Sequence, residues 1–221
     1  MLPAALHEVP LRGAVLYGIK DVVAIRALAD QLPCAMIGSM FHLCEPWISV
    51  NINQYAGILQ MLDHLIAFGH KRIGFLRSKS AGDRGSERMG AFIAGLSLRE
   101  LPLRMADIVT VAHSADWRRA ERATRAGVTA WIADSQKSGE GLVAALTAAD
   151  LPVPQRVSVA SFRAHAINNG LQLTGIYGPW RAIGRAAVMA LANPLPTAEP
   201  GRRILLDAGL DVGRTTAQRS S

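Results

Sequence analysis

HLIAFGHKRIGFL, residues 64–76, is the stretch on which the fold turns. Its first half closes an amphipathic helix, its second half is a short apolar strand, and one glycine stands near the join. Upstream, apolar residues at 58, 59, 62, 65 and 66 recur at helical spacing, which predicts a helix over Tyr55–Phe68. Gly69 supplies the residue that can turn the backbone left-handed and cap that helix. Arg72–Leu76 (RIGFL) then reads as a strand with almost no polar residue. A strand without polar alternation is covered on both faces, as in a parallel sheet between layers of helices.

The same alternation extends in both directions. Strands are expected at Leu11–Tyr17, Cys34–Ile37 and Ile48–Ile52, and later at Ile108–Val111, Thr129–Ala133, Val157–Phe162 and about Arg203–Leu210. Between them, helices are expected at Val22–Gln31, Ser86–Leu98, Asp116–Ala126, Gly141–Ala149 and Arg181–Ala192. The first of these ends at the Leu32–Pro33 step, because proline disfavours helix in the residue before it. Asp116 stands near an N-cap position, and the 194–202 stretch reads as a loop or linker. Repeated β-α units imply an α/β fold, and the amount of apolar strand suits two sheets better than one. An open sheet of this kind takes its ligand beyond the carboxyl ends of its strands, so two such domains facing each other would make a cleft.

With 221 residues, 50% of them hydrophobic and only 5% aromatic, the chain can bury a real core in one large domain or two small ones. The net charge of +7 raises the question of nucleic acid. The densest basic run is Arg118, Arg119, Arg122 and Arg125, interrupted by Glu121. At that spacing the charges line one helix face, either simply solvated or an anion-binding surface. No aromatic ladder accompanies them, which argues against a single-strand stacking platform. Two cysteines, Cys34 and Cys44, make neither a disulfide framework nor a CxxC pair, and a reducing, cytoplasmic setting is expected. No apolar run reaches the roughly 18 residues of a membrane span, and the first residues lack a secretory-signal pattern.

Enzyme chemistry finds little footing. GxSxG and HExxH are absent, and the histidines at 7, 42, 64, 70, 113 and 165 form no metal-ligand spacing. Gly139-x-Gly141-x-x-Ala144 imitates a dinucleotide fingerprint, but its first glycine lies several residues past the strand. Arg163, rather than an acid, ends the next strand, so nothing there would accept from a ribose hydroxyl. Packing at a helix start is the better account of those glycines. Gly74 to Lys79-Ser80 lacks the second glycine of a phosphate-binding loop. No enzymatic activity, cofactor or metal is expected.

Four pieces in order resemble the sensor domain of LacI-type (lactose, galactose and purine repressor) transcription regulators. Residues 64–76 are similar to that family's helix–Gly-His–basic–strand passage, and Arg88-Met-Gly-Ala-Phe92 to its R-x-x-G-F segment. Residues 151–159 (LPVPQRVSV) resemble its V-P-x-D-V-S-V strand entry, and Leu173-Thr174 with Pro179, Trp180 and Gly184 its L-T…G-x-x-A helix. The resemblance implies a periplasmic-binding-protein-like fold of two Rossmann-like subdomains with parallel sheets around a ligand cleft, joined by three crossings. On that model the N-terminal subdomain holds about 1–70 and 176–193, and the C-terminal subdomain about 71–175 and 194–221. The family's helix-turn-helix, hinge helix and first two β-α units have no counterpart here. The expectation is a truncated sensor with an incomplete N-terminal subdomain, in which strand 11–17 becomes an apolar edge.

The resemblance also implies a site. Arg88 matches the arginine with which the family contacts a sugar or purine, a helix surface charge being the alternative. Asn53 stands where the family often has Asp, with loop capping as the alternative. Arg163 replaces the family's acid and would favour a carboxylate or phosphate over neutral hydroxyls. Ser161-Phe-Arg-Ala-His165 and the ending from Leu206 to Gly213 look most like the gluconate-repressor branch. A sugar acid held by Arg88, Arg163 and His165 is therefore expected, with DNA reached only through a helix-turn-helix domain not in this sequence. A homodimer is the family's usual assembly. A sugar-binding protein of a transport system, with the same fold, is the alternative function.

Overall fold

In the computed structural model the described residues are 11–19, 21–38, 47–113, 116–163, 172–192 and 202–219, with the side chains of 81–83 and 163 excepted. Two compact units emerge: Met1–Asn53 with Pro179–Asp207, and Gln54–Gly178 with Ala208–Ser221.

The first unit is a four-stranded parallel sheet in the order β1 (Ala14–Tyr17), β2 (Cys34–Ile37), β3 (Ile48–Ile52) and β9 (Arg203–Leu206). Helix α1 (Val22–Ala29) begins at Asp21, whose carboxylate accepts from the Val23 and Ala24 amides at 3.0 and 3.1 Å. That satisfies two of the donors a helix start leaves orphaned. Ile25, Cys34, Met36 and Trp47 form its buried cluster. Strand β2 is wholly buried, whereas β1 stands at the sheet edge with Val15 and Tyr17 exposed on alternate positions.

The second unit is built on a six-stranded sheet in the order β10 (Gly209–Asp211), β8 (Thr174–Tyr177), β7 (Ser158–Arg163), β6 (Ala130–Ala133), β4 (Ile73–Ser78) and β5 (Ile108–Val111). All neighbours are parallel except β10, which runs antiparallel to β8. Its helices are α2 (Gln54–Ala67), α3 (Gly82–Ser97), α4 (Trp117–Arg125) and α5 (Gln136–Ala148); helix α6 (Trp180–Ala192) belongs to the first unit. One layer of the core is Leu76, Val109, Trp131, Leu142, Leu146 and Val159, all nearly inaccessible. Trp131 fills the space that glycine leaves at Gly74, where an added Cβ would stand 2.5 Å from the indole.

Several expectations hold and some need correction. Gly69 caps α2 at φ +83, with the His70 amide bonded to the Leu65 carbonyl at 3.0 Å. The stretch expected as one strand from Arg203 to Leu210 is two strands in different sheets, broken at Asp207-Ala208. Helix α5 begins at Gln136, five residues before Gly141, with Ser135 as its N-cap. Gly139 packs against Leu173 and Ser161, and Gly141 against the Trp117 ring, so these glycines serve close packing. Asp116 occupies the cap position of α4 without capping it; its carboxylate turns back to the Ala112 and His113 amides at 2.8 and 3.0 Å, which hold its pKa low. The two compact units divide after 53, 178 and 207. Helix α2 packs on α3 and on strands of the second sheet, and β9 pairs with β3, so α2 goes with the second unit and β9 with the first.

Candidate functional site

Parallel strands end together, and the loops that leave their carboxyl ends gather on one side of the sheet. In the second unit a cleft of about 750 Å³ opens there, beyond β4, β5 and β6. Ser78 and Ser80 come from the end of β4, His113 from beyond β5, Asp134 and Ser135 from the end of β6. Arg84 and Arg88 come from α3, Trp117 from α4, and Lys137 and Glu140 from α5.

Asp134 organises this edge. It is fully buried, and its amide donates to the Leu76 carbonyl at 2.9 Å, extending the strand pairing. One carboxylate oxygen accepts from the Ser78 amide at 2.7 Å and the other from the Ser138 hydroxyl at 2.8 Å. Both oxygens are thus held by donors of fixed geometry, which offsets the desolvation of a buried charge.

Arg88 is the second fixed element. Its guanidinium Nε donates to the Gln54 side-chain oxygen at 2.7 Å, and Nη1 donates to the Asp134 carbonyl. Its Cζ lies 3.7 Å from the centre of the Phe162 ring, a cation–π arrangement. Burial, joined by the like charge of Arg84, pushes its pKa down to about 9 against the opposing pull of Asp134 and Glu87. It therefore remains a cation at neutral pH. The helix-surface alternative for Arg88 does not hold, because only 9% of the residue is exposed.

The other expected site residues fall differently. Asn53 follows β3 in the first unit; its amide donates to the Leu206 carbonyl and its side chain to Asp207 Oδ1, each at 2.9 Å. Arg163 ends β7 opposite Tyr177, directly after the Phe162 that carries Arg88. His165 lies outside the described residues. Sequence reading missed Asp134, Gln54 and Phe162 as partners of Arg88. An acid placed straight after an all-apolar strand and followed by two serines (Ala130 to Ser138) was the available signal for Asp134.

A cleft with cations at its rim, a buried arginine at its base, serine hydroxyls and one indole can hold a small polar molecule by charged hydrogen bonds and a stacking face. Among the described residues no three His, Cys, Asp or Glu side chains are grouped to hold a metal. No helix among them is long and apolar enough to cross a membrane.

A family model described as a periplasmic binding protein-like domain matches residues 62–216. No curated protein matches the chain. Among solved structures, a transcription regulator from Lactobacillus plantarum is similar with TM-score 0.79 at 19% identity, covering 96% of this chain and 84% of that one. A LacI family transcriptional regulator from Mycobacterium smegmatis gives 0.76 at 20% identity, over 97% and 82%. A LacI family transcriptional regulator from Enterococcus faecium with bound ribose gives 0.71 at 15% identity, over 95% and 81%. At these identities the likeness is one of fold.

Proposed function

The chain belongs to the periplasmic binding protein-like domain family, and on that footing we propose that it is the small-molecule-sensing part of a LacI-type transcriptional regulator. The observation that carries this reading is the cleft at the carboxyl edge of the second sheet. It is concave, lies beyond the carboxyl ends of β4, β5 and β6, and carries serine, arginine, lysine and carboxylate side chains beside the Trp117 indole. The likeness of fold to LacI family regulators supports it, as does the ribose bound to the Enterococcus faecium protein.

The ligand we propose is a sugar or, given the cationic lining, a sugar acid such as gluconate. Arg84 and Lys137 at the rim and Arg88 at the base place three positive charges around the cleft, against Asp134 and Glu140. Asp134 is already committed to Ser78 and Ser138, and Glu140 accepts from Gln136 at 2.7 Å. A carboxylate would find charged donors there, while hydroxyls would find Ser80 and Ser135. Arg163 and His165, which follow Phe162 closely in the sequence, remain proposed further contacts. Ligand binding in the intact regulator would bias one conformation over another by its differential affinity for the two, and so set DNA affinity.

Isothermal titration of the chain with gluconate, glucose and ribose tests this. We expect one gluconate site, weakened about tenfold or more in Lys137→Gln, since a charge-assisted hydrogen bond contributes about 1.5–3 kcal/mol. Heat from a neutral sugar with none from gluconate would remove the sugar-acid reading. Silence with all three, in protein that melts cooperatively, would remove sugar sensing itself.

A further inference from the structure

At the opposite end of the second sheet, before the amino ends of β4, β6 and β7, lies another cavity of about 340 Å³. His70 forms part of its wall. The ring nitrogens of that histidine are occupied: Nδ1 meets the Thr129 hydroxyl at 3.1 Å, and Nε2 meets the Ser158 hydroxyl at 3.0 Å and the Ala217 carbonyl at 3.3 Å. Burial lowers its pKa, so it is a neutral wall. The charges come from Arg125, Arg156 and Arg219, and no carboxylate lines the cavity among the described residues.

The arginines of this pole divide by what they bond. Arg72 donates to the Ala126 carbonyl at the end of α4 and pairs with Asp107 at 2.7 Å. Arg125 donates to the Ala149 carbonyl at the end of α5 and pairs with Glu121 at 3.2 Å. Both are accounted for by the carbonyls and negative dipole that every helix C-terminus presents. Arg156 and Arg219 are not: neither guanidinium makes an ion pair or a hydrogen bond to a described residue. Folding therefore brings two cations without a described partner to the lining of one concave site, where no carboxylate stands among the described residues. An anion bound there would find guanidinium donors with no competing protein acid.

We infer that this cavity is a second binding site, for a small molecule bearing a multiply charged oxyanion, held between Arg156 and Arg219. A phosphoryl group or a pair of neighbouring carboxylates has the oxygen geometry that guanidinium forks engage two at a time. Gln155 and Gln218 at the rim add neutral amide donors. The cavity shares no residue with the carboxyl-edge cleft, so it stands independently of the effector proposed there.

The test is titration of the full chain with inorganic pyrophosphate and with citrate, paired with backbone-amide NMR of the wild-type protein. Binding is expected with shift changes clustered at Gly127, Thr129 and Arg156, and at least tenfold weaker in Arg156→Gln/Arg219→Gln. Both arginines are exposed, so the double variant should keep its melt. Pyrophosphate binding alone would assign a phosphoryl ligand, and citrate binding alone a carboxylate one. No heat from either probe, shifts clustered instead at Ser78 and Ser135, or binding that survives the double substitution would overturn the site.

Discussion

Arg88 shows how far a single residue's environment can depart from its sequence context. It sits in a polar stretch, Arg84 to Arg88, that reads as a helix surface, yet it is buried against Phe162 and bonded to Gln54 and to the Asp134 carbonyl. Burial pushes its pKa down to about 9, and the nearby, fully buried Asp134 works against that shift. Arg88→Met keeps most of the packing on Phe162 but strips Gln54 and the Asp134 carbonyl of a donor and leaves the carboxylate with less compensation. We expect a loss of about 1–3 kcal/mol in urea unfolding and no detectable gluconate heat. An unchanged or higher midpoint would show that the network contributes nothing to stability.

At the scale of elements, strand β8 is the instructive case. Thr174–Tyr177 is followed at once by Gly178-Pro179 and carries a glycine of its own, Gly175, so its four residues gave no strand signal. Gly175 is what lets the strand lie there: a Cβ would collide with the backbone carbonyl of Ser161, its partner in the ladder. A backbone atom inside a central sheet cannot move aside as a side chain can. Gly175→Ala is therefore expected to lower stability by about 1–3 kcal/mol and to be tolerated far worse than Gly90→Ala on α3, where an added Cβ meets nothing within 4 Å. Parallel urea titrations of the two variants decide it; equal midpoints would mean that β8 shifts freely.

At the scale of the whole molecule, two histidines among the described residues of the second unit couple stability to pH. His64 meets the Thr216 hydroxyl at 2.9 Å, and His70 is enclosed by Thr129, Ser158 and Ala217, so both hold the segment after β10 to the sheet. Burial lowers both pKa values below the ordinary 6.5. The unfolded chain then binds protons at about pH 6.5, where the folded chain still resists them. Stability is thus full above that pH and falls as pH drops through 6.5 toward the depressed folded values. Urea midpoints should be lower at pH 5.5 than at pH 8, with the difference reduced in His64→Gln/His70→Gln. A midpoint that stays level across this range in the wild-type chain would contradict the assignment.

Sequence alone determined the layers. Apolar runs such as RIGFL and AWIA need cover on both faces, helical spacing supplies it, and Gly69 must end α2 because φ there is +83. Those are local requirements, and periodicity and backbone sterics express them within a dozen residues. Tertiary structure decided what depends on distant segments meeting. It split the stretch from Arg203 to Leu210 between two sheets, because β9 finds its partner in β3 and β10 in β8. It assigned α2 to the second unit through its packing on α3. It also joined Arg88, Gln54, Asp134 and Phe162, up to 108 positions apart (54 to 162), into one buried group. Pairing and burial across such separations are set by which surfaces exclude water together, and no window of the sequence contains that information.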